Sequence, residues 1–519
     1  MQKGVIEIEN EEMVSLLKKV DTERESIKEV TGSEDSGGRV AKAKKAKMLA
    51  LNNIKAFYYT SENLAYVKID LGKYSEIVRT DSKTFKHWLI YLFERTENTV
   101  LSDGDIKTAI SSIDSVAFFR GFRVDIYLRI AEKDNSIYID LCNEKRQTLE
   151  IIADGFKILD ESPVLFRRTD DMDEIPIPIL ENTNDYMKLG NYLNFDKMED
   201  FNMIIAFLLA SFRPSMPKPL INFTGEAGTG KSMNTRLIRK FIDPAKQKDL
   251  LKKEINMNEI PLAAASQYLM AFDNLSGISK EGSDLLCIVS TGGVMTTRRL
   301  YTNSDEIIVD LKKVVILNGI DEISKRQDLV SRTIFIETPR LKSSEKKTEN
   351  DIWTAFKKDY PYILGSLVNA VSTGLRNKGK DTSSYSRMID FGRFIADSSE
   401  ALNWEEDYWQ TIYSDNQVAG VEQSINSDPF ALAVVEMMEQ MASDKLTTWK
   451  GTSSELLKKL ADNLPSEDTV YNRAWPKYNQ VKGRLRRIAP LMATKGIEWS
   501  EARSNGKHLL VLTTKEMAG

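Results

Sequence analysis

The stretch at residues 219–241 decides the fold, and it reads PLINFTGEAGTGKSMNTRLIRKF. A short apolar strand, residues 220–223, runs into a glycine-rich turn that ends at Ser232, and the pattern predicts a helix after it. The turn has the form G-x-x-x-x-G-K-[ST] in the strand–loop–helix setting that a phosphate-binding loop requires. The alternative is a glycine-rich turn that matches by chance, and the flanking strand and helix argue against it.

The residues of this turn predict an ATP site. Its glycines permit the backbone geometry in which successive N–H groups point at phosphates. We expect Lys231 to contact the β- and γ-phosphates and Ser232 to ligate Mg²⁺, while the helix N-terminus adds its dipole. The predicted ATP-binding residues are Gly225, Glu226, Ala227, Gly228, Thr229, Gly230, Lys231 and Ser232.

A second apolar strand, residues 268–273 (YLMAFD), ends in an acid. Asp273 is expected to hold the same Mg²⁺ through water, opposite Ser232. An ordinary buried strand with a terminal aspartate is the alternative. The next residue is Asn274, which cannot accept a proton as a carboxylate does, so the general base is left unassigned, with Glu226 as one candidate.

The 519-residue chain has the composition of a soluble globular protein, 41% hydrophobic and 29% charged, and its length predicts about two to four domains. Its longest apolar run, residues 201–212, is too short to span a bilayer and predicts a buried helix. No signal peptide is evident, so we expect a cytoplasmic location. Cys142 and Cys287 stand apart, which excludes a disulfide framework or a zinc ribbon. His87 and His508 are the only histidines, which argues against a metal-dependent nickase.

Five stretches together resemble a family of AAA+ proteins on phages and bacterial islands: GEAGTGKS, AFDNLSGIS, STGGVMTTRRLYTNSDE, VVILNGID and QDLVSRTIFIE. That family includes the MCM-like helicases of staphylococcal cassettes and the Rep initiators of staphylococcal pathogenicity islands. The resemblance runs roughly from Phe57 to the C-terminus, through SRMIDFGRFIADSSEAL and WKGTSSELLKKL. It implies a hexameric ring that binds ATP at its subunit interfaces and unwinds DNA from a replication origin.

The resemblance also implies roles for residues beyond the turn. Lys231 and Asp273 would act in catalysis with Asn318, the sensor-1 residue after the strand KVVIL; a turn asparagine before glycine is the alternative. Arg332 would be an arginine finger that faces the γ-phosphate of the neighbouring subunit, with Arg326 as its substitute. A surface salt-bridge arginine is the alternative for that position.

A sensor-2 arginine is harder to place. Relatives often show an Arg-Arg-Thr-Glu-like stretch where this chain has KKTE at residues 346–349. Arg387, at the start of a later helix, is therefore the sensor-2 candidate.

Residues 296–310 (TTRRLYTNSDEIIVD) predict a β-hairpin before the KVVIL strand. In MCM and superfamily 3 helicases, such a hairpin projects into the channel of the ring and grips the sugar-phosphate backbone. Arg298 and Arg299, with Lys312 and Lys313 at its base, are the candidate contacts with phosphates. A solvated charged hairpin is the alternative.

From residue 429 the pattern predicts three helices and then a β-hairpin, which is the order of a winged helix. Residues 471–507 carry nine basic and two acidic side chains in a chain of net charge -4, and such a local excess is typical of a DNA-binding module. Lys477, Gln480 and Arg484 are predicted to share a helical face that enters a major groove. A basic helix that docks on protein is the alternative. The candidate DNA contacts are Lys477, Lys482, Arg484, Arg487, Arg503 and Lys507.

The predicted fold is an α/β AAA+ P-loop ATPase core with a helical lid, an N-terminal α+β domain and a C-terminal winged helix. The expected boundaries are 1–180 for an N-terminal domain of unknown role, 181–345 for the core, 346–425 for the lid and 426–519 for the winged helix.

The function expected from these features is that of an ATP- and Mg²⁺-dependent DNA helicase and replication initiator of a mobile genetic element. Its expected partners are origin DNA, single-stranded DNA, further copies in a homo-hexamer and a regulatory or repressor protein, with no membrane. Two alternatives stay open: a non-unwinding AAA+ switch, such as a helicase loader or regulator, and a primase–helicase.

Overall fold

A computed structural model describes residues 38–246, 255–257, 259–275, 277–298, 306–319, 326–342, 347–377, 387–405, 407–426, 428–461, 475–504 and 507–514. The chain divides into two compact units, residues 1–124 and 125–519. Among the described residues, no helix is long and apolar enough to cross a membrane.

The first unit is an α+β domain with helices against a four-stranded sheet of order β3-β2-β1-β4. Strand β4 runs parallel to β1, and the other neighbours are antiparallel. Val67 and Ile69 of the sheet and Phe85 and Phe93 of a helix are buried in its core. The elements are α1 Gly38–Asn53, β1 Ile54–Tyr59, β2 Ala65–Asp70, β3 Ser75–Arg79, α2 Lys83–Glu97, α3 Asp103–Arg120 and β4 Phe122–Arg123.

Side-chain caps fix where two of these helices begin. The Ser82 hydroxyl accepts a hydrogen bond from the backbone N–H of Phe85 at the start of α2. Ser102 and Asp105 cap α3 reciprocally, each side chain accepting from the backbone N–H of the other.

The strands after residue 125 belong with the second unit, although the sequence predicted an N-terminal domain that extends to residue 180. Ile137 and Leu149 are buried in the same apolar cluster as Phe207 and Leu367, so these strands share the core of the later residues. The guanidinium of Arg129 reinforces this, because its Nε donates to Asp243 Oδ1 at 3.0 Å. The strands are β5 Ile126–Tyr127, β6 Ile130–Lys133, β7 Ser136–Asp140, β8 Thr148–Ile152, β9 Gly155–Leu159 and β10 Leu165–Phe166.

A parallel four-stranded sheet of order β12-β15-β11-β16 lies at the centre of the second unit. Every residue of β11 and β15 is buried, as expected for parallel strands covered on both faces. The apolar run 201–212 forms a buried helix, as predicted. The strands are β11 Leu220–Thr224, β12 Leu269–Leu275, β13 Val294–Arg298, β14 Glu306–Asp310, β15 Val314–Gly319 and β16 Thr333–Glu337. The helices are α4 Met198–Ser211, α5 Lys231–Ile242, α6 Glu259–Ser266, α7 Lys280–Thr291 and α8 Gln327–Val330, preceded by the 3-10 helix Thr183–Asn191.

The predicted hairpin before β15 is present. Strands β13 and β14 pair antiparallel, from Val294 opposite Asp310 to Arg298 opposite Glu306. The predicted T-N-S-D turn lies outside the described residues.

Helices follow the parallel sheet, and the chain ends in a small helix-and-sheet domain with its own apolar core. The sequence predicted its β18–β19 hairpin but not β17, which adds a third strand in the order β17-β19-β18. The elements are α9 Glu349–Arg376, α10 Ile389–Ser398, the 3-10 helix Ser399–Leu402, α11 Tyr408–Asn426, α12 Pro429–Ser443, β17 Thr448–Gly451, α13 Ser453–Ala461, α14 Val481–Thr494, β18 Ile497–Ser504 and β19 Lys507–Thr514.

Candidate functional site

The glycine-rich turn connects the C-terminal end of β11 to the first residue of α5. Gly225, Gly228 and Gly230 have φ angles of 140°, 79° and 88°, which glycine adopts readily and other residues rarely. A Cβ on Gly225 would also lie 2.4 Å from the carbonyl oxygen of Thr338, so the turn packs tightly against the end of β16.

The Lys231 side chain curls back into the turn. Its ammonium donates to the carbonyl oxygens of Gly225 and Glu226 at 2.7 and 2.6 Å. Desolvation lowers the pKa of this lysine, and the nearby Asp273 carboxylate opposes that shift. The Glu226 side chain is exposed, and what Lys231 contacts is its backbone carbonyl. The turn therefore holds one positive charge against two of its own backbone carbonyls.

The side chains of Ser232, the second residue of α5, and Asp273 of β12 are in contact. Ser232 Oγ lies 3.0 Å from Asp273 Oδ1 and 3.2 Å from Oδ2. Asp273 lies on β12, which is separated from β11 by β15. A hydroxyl and a carboxylate are oxygen ligands of the kind that Mg²⁺ prefers, so this pair fits the predicted metal position.

Asn318 lies on β15 between these two strands and is almost fully buried. Its Oδ1 accepts from the backbone N–H of Asn274 at 2.9 Å, and its Nδ2 donates to Thr235 Oγ1 at 3.2 Å. Asn274 is exposed and has a φ of 56°. The Asn318 amide thus connects the end of β12 to α5.

Two asparagines that the sequence did not single out brace the turn. Asn194 Nδ2 donates to the carbonyl oxygens of Thr229 and Pro339, both at 2.7 Å. The Asn194 backbone in turn exchanges two hydrogen bonds with the Asn234 side chain on α5, at 2.9 and 2.7 Å. These contacts join residues far apart in the sequence, so no local motif predicts them.

Two arginines contact Asp328, near the N-terminal end of β16, and a third, Arg326, lies two residues before it in the chain. Arg387 Nη1 and Nη2 each lie 3.1 Å from Asp328 Oδ1. Arg332 contacts the backbone carbonyl of Asp328 and the Cys287 sulfur, and its side chain is only 17% exposed. Arg326 is ion-paired with Asp284.

This arginine cluster lies at the opposite end of the parallel sheet from the glycine-rich turn. The Arg332 carbonyl accepts from the N–H of Leu220, at the first residue of β11, whereas the turn follows the last residue of that strand. The sequence placed Arg387 as a sensor-2 residue, and the structure instead places it beside Asp328 and Ser331.

Lys312 and Lys313, two of the predicted DNA contacts, follow β14 at the base of the hairpin. Lys312 donates to the Ser215 carbonyl at 2.9 Å, which fixes its ammonium against the preceding loop. Lys313 is half-buried, and desolvation lowers the pKa of its ammonium. Arg298 ends β13, and Arg299 lies outside the described residues.

The C-terminal basic residues separate into paired and exposed groups. The predicted recognition helix begins at Val481, so Lys477 and Gln480 precede it and share no helical face with Arg484. Arg484 is held 2.6 Å from the buried carboxylate of Asp428, which occupies its guanidinium within the domain.

The remaining members of this group lie nearer the surface. Lys482 pairs with Glu501 of β18. Lys477, Arg487 and Arg503 are exposed. Lys507 is the first residue of β19.

Two family models match the chain. Residues 185–412 match the replication protein of actinomycete integrative conjugative elements, and residues 430–518 match the C-terminal domain of the same RepA protein. No curated protein matches the chain.

Solved structures give weaker likenesses. The apo C-terminal region of NrS-1, residues 305–718, is 13% identical with a TM-score of 0.40, and the match covers 92% of this chain and 100% of that chain. Inhibitor-bound JCV helicase is 15% identical with a TM-score of 0.22, and the match covers 46% of this chain and 64% of that chain.

The matches confirm the broader expectation of a replication protein of a mobile element, while the staphylococcal families named above are not the ones that match. The two matched ranges together span more than half of the chain. Over these two ranges, the chain is similar to the RepA replication proteins of actinomycete integrative conjugative elements.

Proposed function

We propose that this replication protein is an ATP-dependent DNA helicase and initiator, built on an AAA+ core with a helical lid at residues 346–425 and a C-terminal winged helix. The observation that carries the proposal is the convergence of Lys231, Ser232 and Asp273 at one end of the parallel sheet. A cation, a hydroxyl and a carboxylate in this arrangement suit the terminal phosphates of ATP and one Mg²⁺.

Each of these side chains has a distinct task in the proposed site. The amides of the turn and the Lys231 ammonium would hold the β- and γ-phosphates, in place of the carbonyl oxygens that the ammonium contacts now. Ser232 and Asp273 would hold Mg²⁺, which supplies charge neutralisation when bound. Asn318 would fix the end of β12 through the Asn274 N–H, and so hold Asp273 in place.

The arginine cluster supports a ring of subunits. β11 is five residues long, which is about 15 Å of extended chain, so Arg332 cannot reach the turn of its own subunit. An arginine at this end could complete the ATP site of a neighbouring copy, as arginine fingers do. Arg332 is the candidate from the sequence. Arg326 and Arg387, whose side chains are 36% and 43% exposed, are better placed to reach across an interface.

Two regions are proposed to contact DNA. The β13–β14 hairpin would carry Arg298 and Arg299 toward the phosphates of a strand in the ring channel. In the C-terminal domain, Lys477, Arg487 and Arg503 are the exposed candidates, with Lys482 available if its ion pair with Glu501 opens. Arg484 is left out because Asp428 holds it.

One observation favours a second candidate, an AAA+ switch that binds ATP without unwinding DNA. The residue after Asp273 is Asn274, and its side chain is exposed and has no carboxylate to accept a proton from the attacking water. Slow hydrolysis at such a site would suit a protein that changes state on binding ATP.

A strand-displacement assay separates the two candidates. Wild type should separate a forked duplex in the presence of ATP and Mg²⁺, whereas Lys231→Ala should neither hydrolyse ATP nor displace the strand. Arg298→Ala should retain basal hydrolysis and lose displacement. Lys358→Ala, which removes an exposed lysine of α9, is the matched control and should behave as wild type. Hydrolysis by wild type without displacement would favour the switch.

A further inference from the structure

The end of α3 presents an unusually exposed aromatic ring. Phe119 is 81% exposed, the largest value among the large apolar side chains of the described residues. It lies in the stretch FFRGFR at residues 118–123, where Arg120 and Arg123 are also exposed. This stretch therefore presents an apolar ring and two guanidinium groups together at the surface, a combination that suits a ligand with both a flat face and negative charge.

Phe119 is the outermost member of a stack of rings. Its centroid lies 5.2 Å from that of Phe118, with the two planes at 86°. Phe118 in turn packs against Tyr59 of β1, with centroids 5.5 Å apart. These contacts hold Phe118 and Tyr59 half-buried and orient the exposed ring, so the outer surface is pre-organised.

A sharp turn brings the arginine-bearing strand to the same place. Gly121 ends α3, and a Cβ at this position would lie 2.2 Å from the Ala117 carbonyl oxygen and 2.9 Å from that of Phe57. The chain can therefore reverse directly into β4, which pairs with β1 so that Arg123 stands opposite Tyr59. The nearest acid on α3, Asp114, accepts a hydrogen bond from the Thr80 hydroxyl.

We infer that Tyr59, Phe118, Phe119 and Arg123 form a binding patch for single-stranded DNA on the N-terminal unit, which had no assigned role. A base would stack on Phe119, and the adjoining phosphate would contact Arg123, with Arg120 on the other side of the turn. Aromatic rings beside cationic side chains are the usual platform for unpaired bases. A duplex offers no free base face to such a ring, and an apolar protein partner would not need the flanking guanidinium groups.

This inference rests on the proposed function, because it names how the helicase holds the strand that it works on. Binding of a fluorescently labelled oligo-dT to the full chain, measured by anisotropy without ATP, tests it. Phe119→Ala should weaken binding by about five-fold or more, as the loss of one stacked base predicts. Phe119→Trp should restore it. Tyr91→Ala removes another exposed aromatic, on α2, and should leave binding unchanged.

The salt dependence separates stacking from charge. Arg123→Ala should reduce the slope of log Kd against log salt by about 0.7, the value for one phosphate contact on a single strand, whereas Phe119→Ala should leave that slope unchanged. Thermal unfolding of each variant checks that the unit still folds. A Phe119→Ala protein that folds and binds oligo-dT as wild type does would overturn the inference.

Crosslinking locates the contact directly. An oligo-dT with one 5-iododeoxyuridine should crosslink to the tryptic peptide 108–120, which contains Phe118 and Phe119. Crosslinks confined to other peptides would contradict the patch. If wild type bound no single-stranded DNA at all, the proposed helicase would fail with it. If wild type bound oligo-dT and displaced strands, and the patch variants bound oligo-dT as wild type does, the inference alone would fail.

Discussion

Ser232 Oγ and Asp273 Oδ1 lie 3.0 Å apart, although Ser232 lies in the first turn of the helix that follows β11 and Asp273 lies on β12, which is not a neighbour of β11 in the sheet. The strand between them, β15, carries Asn318, whose amide accepts from the N–H of the residue after Asp273. The sheet therefore positions Asp273 and Asn318, and the first turn of α5 positions Ser232. A small shift of β12 would move the carboxylate away from the hydroxyl.

The Ser232 hydroxyl is expected to be needed for Mg²⁺-dependent hydrolysis. Ser232→Ala should reduce ATP hydrolysis severely at any Mg²⁺ concentration, because the hydroxyl ligand is lost. Ser232→Thr is the matched control, since threonine keeps the hydroxyl and satisfies the same motif. Steady-state hydrolysis over a Mg²⁺ titration measures both. Equal loss in the two variants would contradict a role for the hydroxyl.

Gly225 is expected to tolerate no side chain, and Gly228 to tolerate one better. Gly225→Ala introduces a Cβ 2.4 Å from the Thr338 carbonyl, in addition to strain from its positive φ. Gly228→Ala has the φ strain, worth about 1–2 kcal/mol, but no atom within 4 Å of the new Cβ. Nucleotide binding should thus fall further in Gly225→Ala. A larger loss in Gly228→Ala would argue against this packing.

Asn194 is expected to position the turn. Asn194→Ala removes the donor to Thr229 and Pro339, and hydrogen bonds of this kind contribute about 0.5–1.5 kcal/mol each. The affinity for ATP should therefore fall by roughly 5- to 150-fold across the two bonds. The affinity of Asn194→Asp for ATP should fall by a similar factor, because a carboxylate cannot donate these hydrogen bonds. Asn53→Ala is the control, because the exposed Asn53 side chain donates to the Leu49 carbonyl of its own helix.

The buried Lys218 predicts a pH-dependent stability. Desolvation, with smaller effects from Lys312 and Lys313, lowers the pKa of its ammonium to about 7. Between pH 7 and the ordinary lysine range near 10, the unfolded chain binds one proton more than the folded chain, so the free energy of unfolding rises with pH.

Lys218→Met removes this contribution. The free energy of unfolding of this variant should exceed that of wild type by the largest margin at pH 7 and below. The margin should shrink by up to about 1.4 kcal/mol per pH unit above pH 7. Urea unfolding at pH 7, 8 and 9 measures the difference. A constant difference between the two proteins would contradict the lowered pKa.

Much of the site was predictable because it depends on residues that are adjacent in the sequence. The turn at 225–232, Asp273 at the end of an apolar strand and the β13–β14 hairpin each depend on local pattern, and the structure places them as expected. The roles of these residues in catalysis remain predictions.

The remaining features depend on contacts that no local pattern records. Asn194 reaches Pro339 across 145 residues, and Arg387 reaches Asp328 across 59. Lysine is usually found at the surface, yet the position of Lys313 just before β15 leaves its ammonium desolvated. The boundary at residue 124 was missed because the β6–β9 strands alternate as a separate domain would, while their apolar face packs into the later core.

Equilibrium binding of a fluorescent ATP analogue with Mg²⁺, to wild type and to Lys231→Ala, tests the central claim most directly. The account predicts saturable binding by wild type and a loss of about 10- to 150-fold in Lys231→Ala, because one charged hydrogen-bond donor contributes about 1.5–3 kcal/mol. Absence of binding by wild type, or equal binding by both proteins, would contradict it.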